Sequence, residues 1–319
     1  MSAAARSELV DWARETIAAG SKSFGMASRL LPRRERENAW LLYAWCRACD
    51  DITDGQELGF YLSARPPVST DLWEQTRRAL RTDAAVPLAF ASLREVHRDA
   101  GLPVRYIEDH LRGFDLDRAG WRPQTAEDLI GYCYHVAGTV GCLMARIMGI
   151  SPQDADTLTR ASDLGIAFQL DNIARDIVED ARHGRCYIPA DWLSGADIEE
   201  AALAEPEHRP KLADLARELR ALATRYYGSA RVGAARLPWR SRNAILAACN
   251  IYGAIGETVV RRGALAWDDR ITTTRVDKLV AAGRAVVQGF GGVADPGRSG
   301  LFDQTAWHAS RGSAKAQIL

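Results

Sequence analysis

Two short acidic clusters stand out among the residues able to do chemistry: Asp50-Asp51-Ile52-Thr53-Asp54 and Asp176-Ile177-Val178-Glu179-Asp180. In each, aspartates recur at i and i+4. On a helix that spacing stacks like charges on one face, at a cost of about 0.2–0.5 kcal/mol per pair. Neither cluster helps the helix that carries it, so the pattern makes sense where a strongly positive species sits between the two. Hard oxygen donors in this number point to magnesium, and magnesium held by few carboxylates completes its shell with water and phosphate oxygens. Arg47 beside the first cluster, and Arg175, Arg182 and Arg185 beside the second, supply guanidinium forks that grip phosphate oxygens. A diphosphate is the anion that suits both donor sets. A lone D-x-x-x-D reads as a solvated surface face. Two such clusters, each beside arginine and the second beside the amides of Gln169 and Asn172, argue against that reading here.

The elements that must position these groups are helices. Tyr43, Arg47, Asp50 and Asp54 fall at offsets 0, 4, 7 and 11, one continuous stripe, while Leu42, Trp45, Cys46 and Cys49 lie elsewhere and suit packing. Gln169, Asn172, Asp176 and Asp180 fall at offsets 0, 3, 7 and 11. Two polar stripes on otherwise apolar helices predict a water-accessible pocket between them. Leu31-Pro32 opens a helix running to about Asp54. Further helices are expected over 71–82, 87–100, 104–114, 125–148, 152–179, 210–235, 240–262 and 275–287, with breaks at Gly101-Leu102-Pro103, at Gly149-Ile150-Ser151-Pro152 and at Leu237-Pro238. Pro66-Pro67 marks a loop, and Ser69-Thr70-Asp71 supplies cap residues for the helix that follows. No segment alternates with period two, so the expectation is an all-α chain with no sheet. One domain is expected over residues 1–290. The Gly-, Ser- and Asp-rich tail, 291–319, is expected to be loosely ordered, with Phe302 and Trp307 as the residues able to dock.

At 319 residues and 47% hydrophobic composition the chain can bury a large core around a lined cavity. A formal net charge of zero offers no global field to nucleic acid. The six cysteines are scattered, and Cys46-x-x-Cys49 lacks the second close pair that a zinc site needs, so neither a disulfide framework nor zinc is expected. The first twenty residues carry Glu8, Asp11 and Glu15 and no continuous apolar run, so a signal peptide is not expected. The longest apolar candidate, 244–255, is short and interrupted by Asn250, so no membrane span is expected either. A cytoplasmic protein, soluble or peripherally attached to a membrane, follows.

Longer patterns give a resemblance. The segment Gly165-x3-Gln169-x2-Asn172-Ile173-Ala174-Arg175-Asp176-Ile177-x2-Asp180-x4-Arg185-x-Tyr187-x-Pro189 resembles the second signature of the squalene and phytoene synthases. Tyr132-Cys133-x2-Val136-Ala137-Gly138-Thr139-Val140-Gly141-x2-Met144-x2-Ile147 resembles the first. Ser21-Lys22-Ser23-Phe24 and Tyr43-Ala44-Trp45-Cys46-Arg47-x2-Asp50-Asp51-x2-Asp54 resemble the remaining blocks. The wording around Tyr43 and Arg185-Cys186-Tyr187-Ile188-Pro189 is most similar to the bacterial phytoene synthases.

The resemblance implies a single-domain, all-α isoprenoid synthase fold around a central cavity. It implies head-to-head condensation of two geranylgeranyl diphosphates to phytoene by way of prephytoene diphosphate, in carotenoid biosynthesis. Carried over by motif, Asp50, Asp54, Asn172, Asp176 and Asp180 are the metal-binding set, with Asp51 in support; magnesium is expected, with manganese as its substitute. Arg47, Arg175 and Arg185 would hold diphosphate oxygens, and Tyr43, Gln169 and Tyr187 complete a polar rim. The hydroxyls of Ser21 and Ser23 would meet the second diphosphate, and Tyr252 and Arg270 would close the pocket. A carbocation needs a dry, electron-rich wall, worth about 0.5–2 kcal/mol per aromatic face. Phe24, Tyr43, Tyr132, Phe168 and Tyr252 are the candidates, with ordinary core packing the competing reading for each. Val136, Ala137, Gly138, Gly141 and Ala145 share a helical face and are small enough to leave a tunnel for prenyl tails, or to permit tight helix packing. With Gly25, Ala27 and Ser28 they favour a twenty-carbon tail over a fifteen-carbon one. The same chemistry on farnesyl diphosphate, giving dehydrosqualene or squalene, is the near alternative. Squalene formation would need NADPH, which is not expected. A non-catalytic relative would show eroded metal ligands, and both clusters are intact. A terpene cyclase shares the cation chemistry, but the signature blocks favour condensation. The oligomeric state is left open, as is transient contact with the inner face of a membrane, which no basic amphipathic helix clearly announces in sequence.

Overall fold

The computed structural model describes residues 3–54, 56–57, 60–61 and 71–307. The Pro66-Pro67 loop, the Ser69 and Thr70 cap residues, the side chain of Asp54 and the tail beyond Trp307 lie outside the described residues. The chain is helical: α1 (Ala3–Gly20), α2 (Lys22–Ser28), α3 (Arg33–Asp54), α4 (Leu72–Arg81), α5 (Leu88–Ala100), α6 (Val104–Arg118), α7 (Ala126–Cys133), α8 (Thr139–Ile147), α9 (Ala155–Arg182), α10 (Ala190–Gly195), α11 (Arg209–Ala235), α12 (Trp239–Arg262) and α13 (Arg275–Phe290). The expectation of no strand needs a small correction. Gln56–Glu57 pairs antiparallel with Phe60–Tyr61, a ladder too short to leave any alternation in sequence.

The helices start where the side chains can satisfy orphaned N–H groups. Asp71 accepts from the backbone of Trp73 and Glu74 at 2.9 and 3.1 Å. Thr125 with Asp128, and Thr274 with Asp277, form capping boxes. Gly101 ends α5 in the left-handed region at φ 59°, which an L side chain rarely adopts. One expected helix, 125–148, is continuous in direction but not in winding. Tyr134–Gly138 forms a π turn between α7 and α8. The wider turn frees the His135 carbonyl, which accepts from the Thr139 hydroxyl at 2.8 Å and lies 3.1 Å from His110 Nδ1, so no buried acceptor is stranded.

Two apolar clusters form the core. One gathers α1, α3, α5, α6 and α8 around Trp45, Leu93, Tyr106 and Leu111. The other gathers α7, α9, α11 and α12 around Ile166, Leu170, Leu219 and Tyr227. Helix α9 packs along α11 and also against α8 and α12, so it is the central rod. Trp239–Leu265, running through α12, is long and apolar enough to cross a membrane by composition, where the sequence reading found no such stretch. With 61% of its most apolar window buried against α9, α11 and α13, it is a core helix. All six cysteines are free thiols.

Beyond Phe290 the composition suggests loose order, yet as far as Trp307 the segment is pinned. Arg298 donates to both oxygens of Asp163, each at 2.8 Å, and Arg160 donates to Asp295 at 2.7 and 3.2 Å. Gln304 donates to Thr159 at 3.0 Å, and Phe302 packs 5.1 Å from the ring of Tyr134. The signal is hidden because the partners are single charges scattered along α9. Asp163 is buried, and burial raises its pKa while Arg298 works against that rise. Removing one partner of a buried ion pair leaves an uncompensated charge. Arg298→Ala is therefore expected to lower unfolding stability by about 3–5 kcal/mol in urea titrations, and Arg298→Lys to recover part of that loss.

Candidate active site

A cavity of about 280 Å³ lies on the seam between the two core clusters, walled by α3, α8 with its preceding π turn, α9, α11 and α12. Helix α9 shows how it is built. Thr157, Arg160, Ala161, Leu164, Gly165, Phe168, Gln169 and Asn172 line the cavity, a 3-1-3-1 progression that marks one helical face. Steps of three and four residues onward from Gln169 and Asn172 reach Asp176 and Asp180 on the same face. The stripe is thus apolar from Ala161 to Phe168 and ends acidic. Helix α3 repeats the pattern from Ala39, Leu42, Tyr43 and Cys46 to Arg47 and Asp50. The third wall is Val136, Ala137, Val140, Gly141, Met144, Ala145 and Met148.

Close approach of the third wall to α9 depends on two glycines. A Cβ at Gly165 would run into the carbonyl oxygen of Ala137, and one at Gly141 into that of Ala161. Both obstacles are backbone and cannot swing away. Small residues in this block therefore serve helix packing and the cavity lining together, so the two sequence readings are not exclusive.

At the mouth the walls meet through aromatic rings. Phe168 stacks on Tyr252 with centroids 4.3 Å apart, and Phe24 tilts against Tyr43 at 5.8 Å. The Tyr252 hydroxyl meets the side chain of Ser21 and feels the charge of Arg175, while burial holds its pKa above the ordinary phenol value. Burial likewise pushes Tyr43 up to about 12, with Arg47 opposing and Tyr252, Asp50 and Asp51 adding to the rise. Tyr252 therefore touches the electrostatics of both walls. Ser21, Phe24, Tyr43, Val136, Gly141, Phe168, Gln169, Asn172 and Tyr252, all expected from sequence, line this one cavity.

Each acidic cluster is bridged by its own arginine. Arg47 reaches Asp50 at 2.6 Å and Asp51 at 2.8 Å. Arg175 donates from Nε to Asp176 at 2.8 Å and makes a second contact through Nη2. Arg270 donates to Glu179 at 2.9 Å and lies 4.0 Å from Asp176. Asp180 is pushed up to about 7, first by burial and then by the neighbouring charge of Asp176, with Arg185 pulling the other way. Among the described residues no three acidic, histidine or cysteine side chains converge on a ready-made metal site. The donor chemistry nonetheless fits a hard divalent cation. The carboxylate and amide oxygens come in small groups on two helices, which suits an ion that fills its remaining positions with water and phosphate.

Other expected residues sit apart from the cavity. Tyr132 stacks between Trp121 at 5.5 Å and Tyr187 at 4.9 Å, and both tyrosine hydroxyls donate to Asp117, at 2.9 and 3.0 Å. Neither ring is among the lining residues. Tyr132 falls on the face of α7 that packs into the core, just before the π turn changes the winding. Ser23 lies 3.4 Å from the Thr273 hydroxyl, joining α2 to the segment before α13. Cys46, read as packing, lines the cavity. Asp117 had no sequence signal, because α6 runs four residues past its expected end at Phe114. Arg160 and Thr157, at the far end of the lining, were legible by extending the α9 stripe backwards. Overpacking a site walled by backbone typically costs about 1–3 kcal/mol. Gly165→Ala is accordingly expected to lower the melting temperature of the full chain, and Gly195→Ala, whose added Cβ meets nothing within 4 Å, to leave it near the wild-type value.

With this geometry in place, comparisons with known proteins become informative. A family model described as squalene/phytoene synthase matches residues 17–277. The 15-cis-phytoene synthase of Pantoea ananas is 44% identical over 288 residues, covering 87% of this chain and 92% of the relative. That of Enterobacter agglomerans is 46% identical over 276 residues, covering 84% and 92%. Among solved structures, a dehydrosqualene synthase in complex with a ligand superimposes with a TM-score of 0.77 at 24% identity, over 88% of this chain and 96% of that one. A squalene synthase from Alicyclobacillus acidocaldarius gives 0.70 at 21% identity, over 82% and 97%. At these identities the structural likeness speaks for the fold, the all-α fold of isoprenoid synthases. The helix faces that lead on to the acids line one cavity through Tyr43, Gln169 and Asn172, the signature blocks contribute to its walls and the match spans most of the sequence: the chain belongs to the squalene/phytoene synthase family.

Proposed function

We propose that this chain is a prenyltransferase that condenses two geranylgeranyl diphosphates head to head, through prephytoene diphosphate, to phytoene, in carotenoid biosynthesis. The observation that carries the proposal is the α9 stripe, which joins an apolar channel to an acid cluster on one helix face. Thr157 to Asn172 spans about 22 Å at 1.5 Å rise per residue, a run suited to a long prenyl tail lying along α9. Relatives above 40% identity that carry the phytoene synthase name support the twenty-carbon substrate.

Asp50, Asp54, Asn172, Asp176 and Asp180, with Asp51 in support, are the residues proposed to hold magnesium, or manganese in its place. A divalent cation supplies Lewis-acid stabilisation of a departing diphosphate. Arg47, Arg175 and Arg185 would bind diphosphate oxygens directly, exchanging their present carboxylate partners for phosphate. Ser21, Tyr43, Gln169 and Tyr252 would orient the head groups at the mouth. Phe24, Phe168 and Tyr252 would face the allylic cation and keep water from it. Ser23, Tyr187 and Arg270 are proposed for the rim, and Tyr132 for holding Tyr187 through Asp117 rather than for meeting the cation. A cytoplasmic location, where both diphosphates are water-borne, is compatible with this reading.

Product analysis separates the readings. With the twenty-carbon diphosphate and magnesium, a C40 hydrocarbon is expected whether or not NADPH is added; chelating the metal should stop it. Consumption of the fifteen-carbon diphosphate alone would replace phytoene by the dehydrosqualene or squalene reading. Asp176→Ala is expected to lower turnover by about 10³-fold or more with the helical circular dichroism unchanged. Near-normal diphosphate release by that variant would remove the carboxylate from the machinery.

A further inference from the structure

Helix α13 is packed the wrong way round for a core helix. Its buried residues are Lys278, Ala281, Ala285 and Gly289, and it lies against α12, where Asn250 donates to the Ala281 carbonyl at 3.1 Å and to the Gln288 side chain at 3.0 Å. Its large apolar side chains point out. Val276 is 67% exposed, Leu279 68%, Val280 50%, Val286 44%, Val287 74% and Phe290 78%. These positions fall at i, i+3, i+4, i+10, i+11 and i+14, one continuous helical stripe. Scattered exposed apolar residues need no explanation, but a stripe along a whole helix does.

The stripe continues past the helix. Phe290 meets the half-exposed Trp239 with ring centroids 4.5 Å apart, and Arg240, next in sequence, reaches the carbonyl of Leu30, itself 36% exposed. The exposed charges beside it are mainly basic, with Glu35 held by the Ser241 hydroxyl at 2.6 Å. Arg275 and Arg284 on the helix, and Arg29 and Arg240 beside its far end, are all exposed. The one acid on α13, Asp277, is committed to capping, accepting from the Thr274 amide and hydroxyl at 2.8 Å each. Apolar side chains bordered by arginines complement a bilayer bearing anionic lipid head groups. A second copy docked stripe to stripe would set these arginines against their own equivalents. The segment before the stripe reaches the helix that lines the mouth: Thr273 lies 3.4 Å from Ser23, next to the cavity-lining Phe24 of α2, and α12 beneath α13 carries Tyr252.

We infer that α13, with Leu30 and Trp239, is a membrane-docking face that seats the cavity mouth against an anionic bilayer. The inference rests on the reading above only in its purpose, since long isoprenoid tails and a C40 hydrocarbon partition into lipid and would enter and leave there. In this arrangement α13 lies flat in the interface, with its arginines at head-group level and no segment crossing the membrane.

Vesicle flotation of the full-length chain tests it, with no substrate present. Binding to phosphatidylglycerol/phosphatidylcholine vesicles is expected, weaker binding to phosphatidylcholine alone, and a loss on raising salt to about 0.5 M, where surface charge is screened. Leu279→Glu/Val287→Glu, on exposed positions outside the catalytic machinery, should lower the floated fraction at least tenfold while leaving turnover of detergent-dispersed substrate unchanged. Failure of the wild-type chain to float, or equal flotation of the double variant, would overturn the inference. So would a wild-type dimer that neither floats nor survives the double substitution, which would make the stripe an interface between copies. Because flotation needs no turnover, a wrong substrate assignment leaves this result untouched, and a failed flotation leaves the product assay untouched.

Discussion

Like charge brought together on one helix face is the constraint on which this structure turns. Asp176 and Asp180 sit one turn apart on α9, and burial of Asp180 beside Asp176 lifts its pKa to about 7. Asp50 and Asp51 crowd Arg47 on α3 in the same way. Side-chain repulsion of this kind opposes helix formation, so something else must hold both helices in place. The apolar halves of the same two stripes do so. Leu42 and Ala39 on α3, and Leu164 and Ile166 on α9, belong to the buried clusters on either side of the cavity seam. Hydrophobic packing at one end of each helix thus fixes the acids at the other.

The cavity persists for a related reason. Interiors pack to near-crystalline density, and an apolar void lined by flexible side chains tends to collapse. Here several wall positions are small, among them Ala137, Gly141, Ala145, Ala161 and Gly165. Gly141 and Gly165 bring α8 and α9 together until carbonyl meets Cα, and the π turn at Tyr134–Gly138 resets the phase of the wall between them. The strap segment around Asp295 and Arg298 clamps Asp163 of α9 and, at the end of the cavity lining, Arg160. The rod can neither rotate nor slide toward the void without breaking buried ion pairs.

Much of this was legible in the residues. The acidic clusters, their helical phase and the caps at Asp71, Thr125 and Thr274 are local signals, and local signals survive into the fold. Six of the nine expected site residues that line one cavity lie on three faces whose periodicity could be counted, those of α3, α9 and the block from Val136 to Gly141. What escaped was non-local. No spacing rule announces a π turn, whose freed carbonyl is satisfied by a threonine one turn on and a histidine from another helix. The strap escaped because its composition resembles a tail while its anchors lie more than a hundred residues away in sequence. Tyr132 escaped in the opposite sense: its motif block is right, but its own face of α7 turns to Trp121 and Asp117. The apolar face of α13 could be counted from sequence, but only the packing of Ala281, Ala285 and Gly289 against α12 tells which side is out.

The central claim is that the two acid-bearing helices act on one bound diphosphate rather than as separate sites. A double-mutant cycle on Asp50→Asn and Asp176→Asn measures this most directly, read as the magnesium-dependent affinity for an unreactive prenyl thiodiphosphate by calorimetry. Residues sharing a bound group show coupling of about 0.5–3 kcal/mol. The account predicts that either substitution alone removes most of the magnesium-dependent affinity and that the second adds little. Losses that simply add, or a thiodiphosphate that binds equally well with both aspartates replaced, would contradict it.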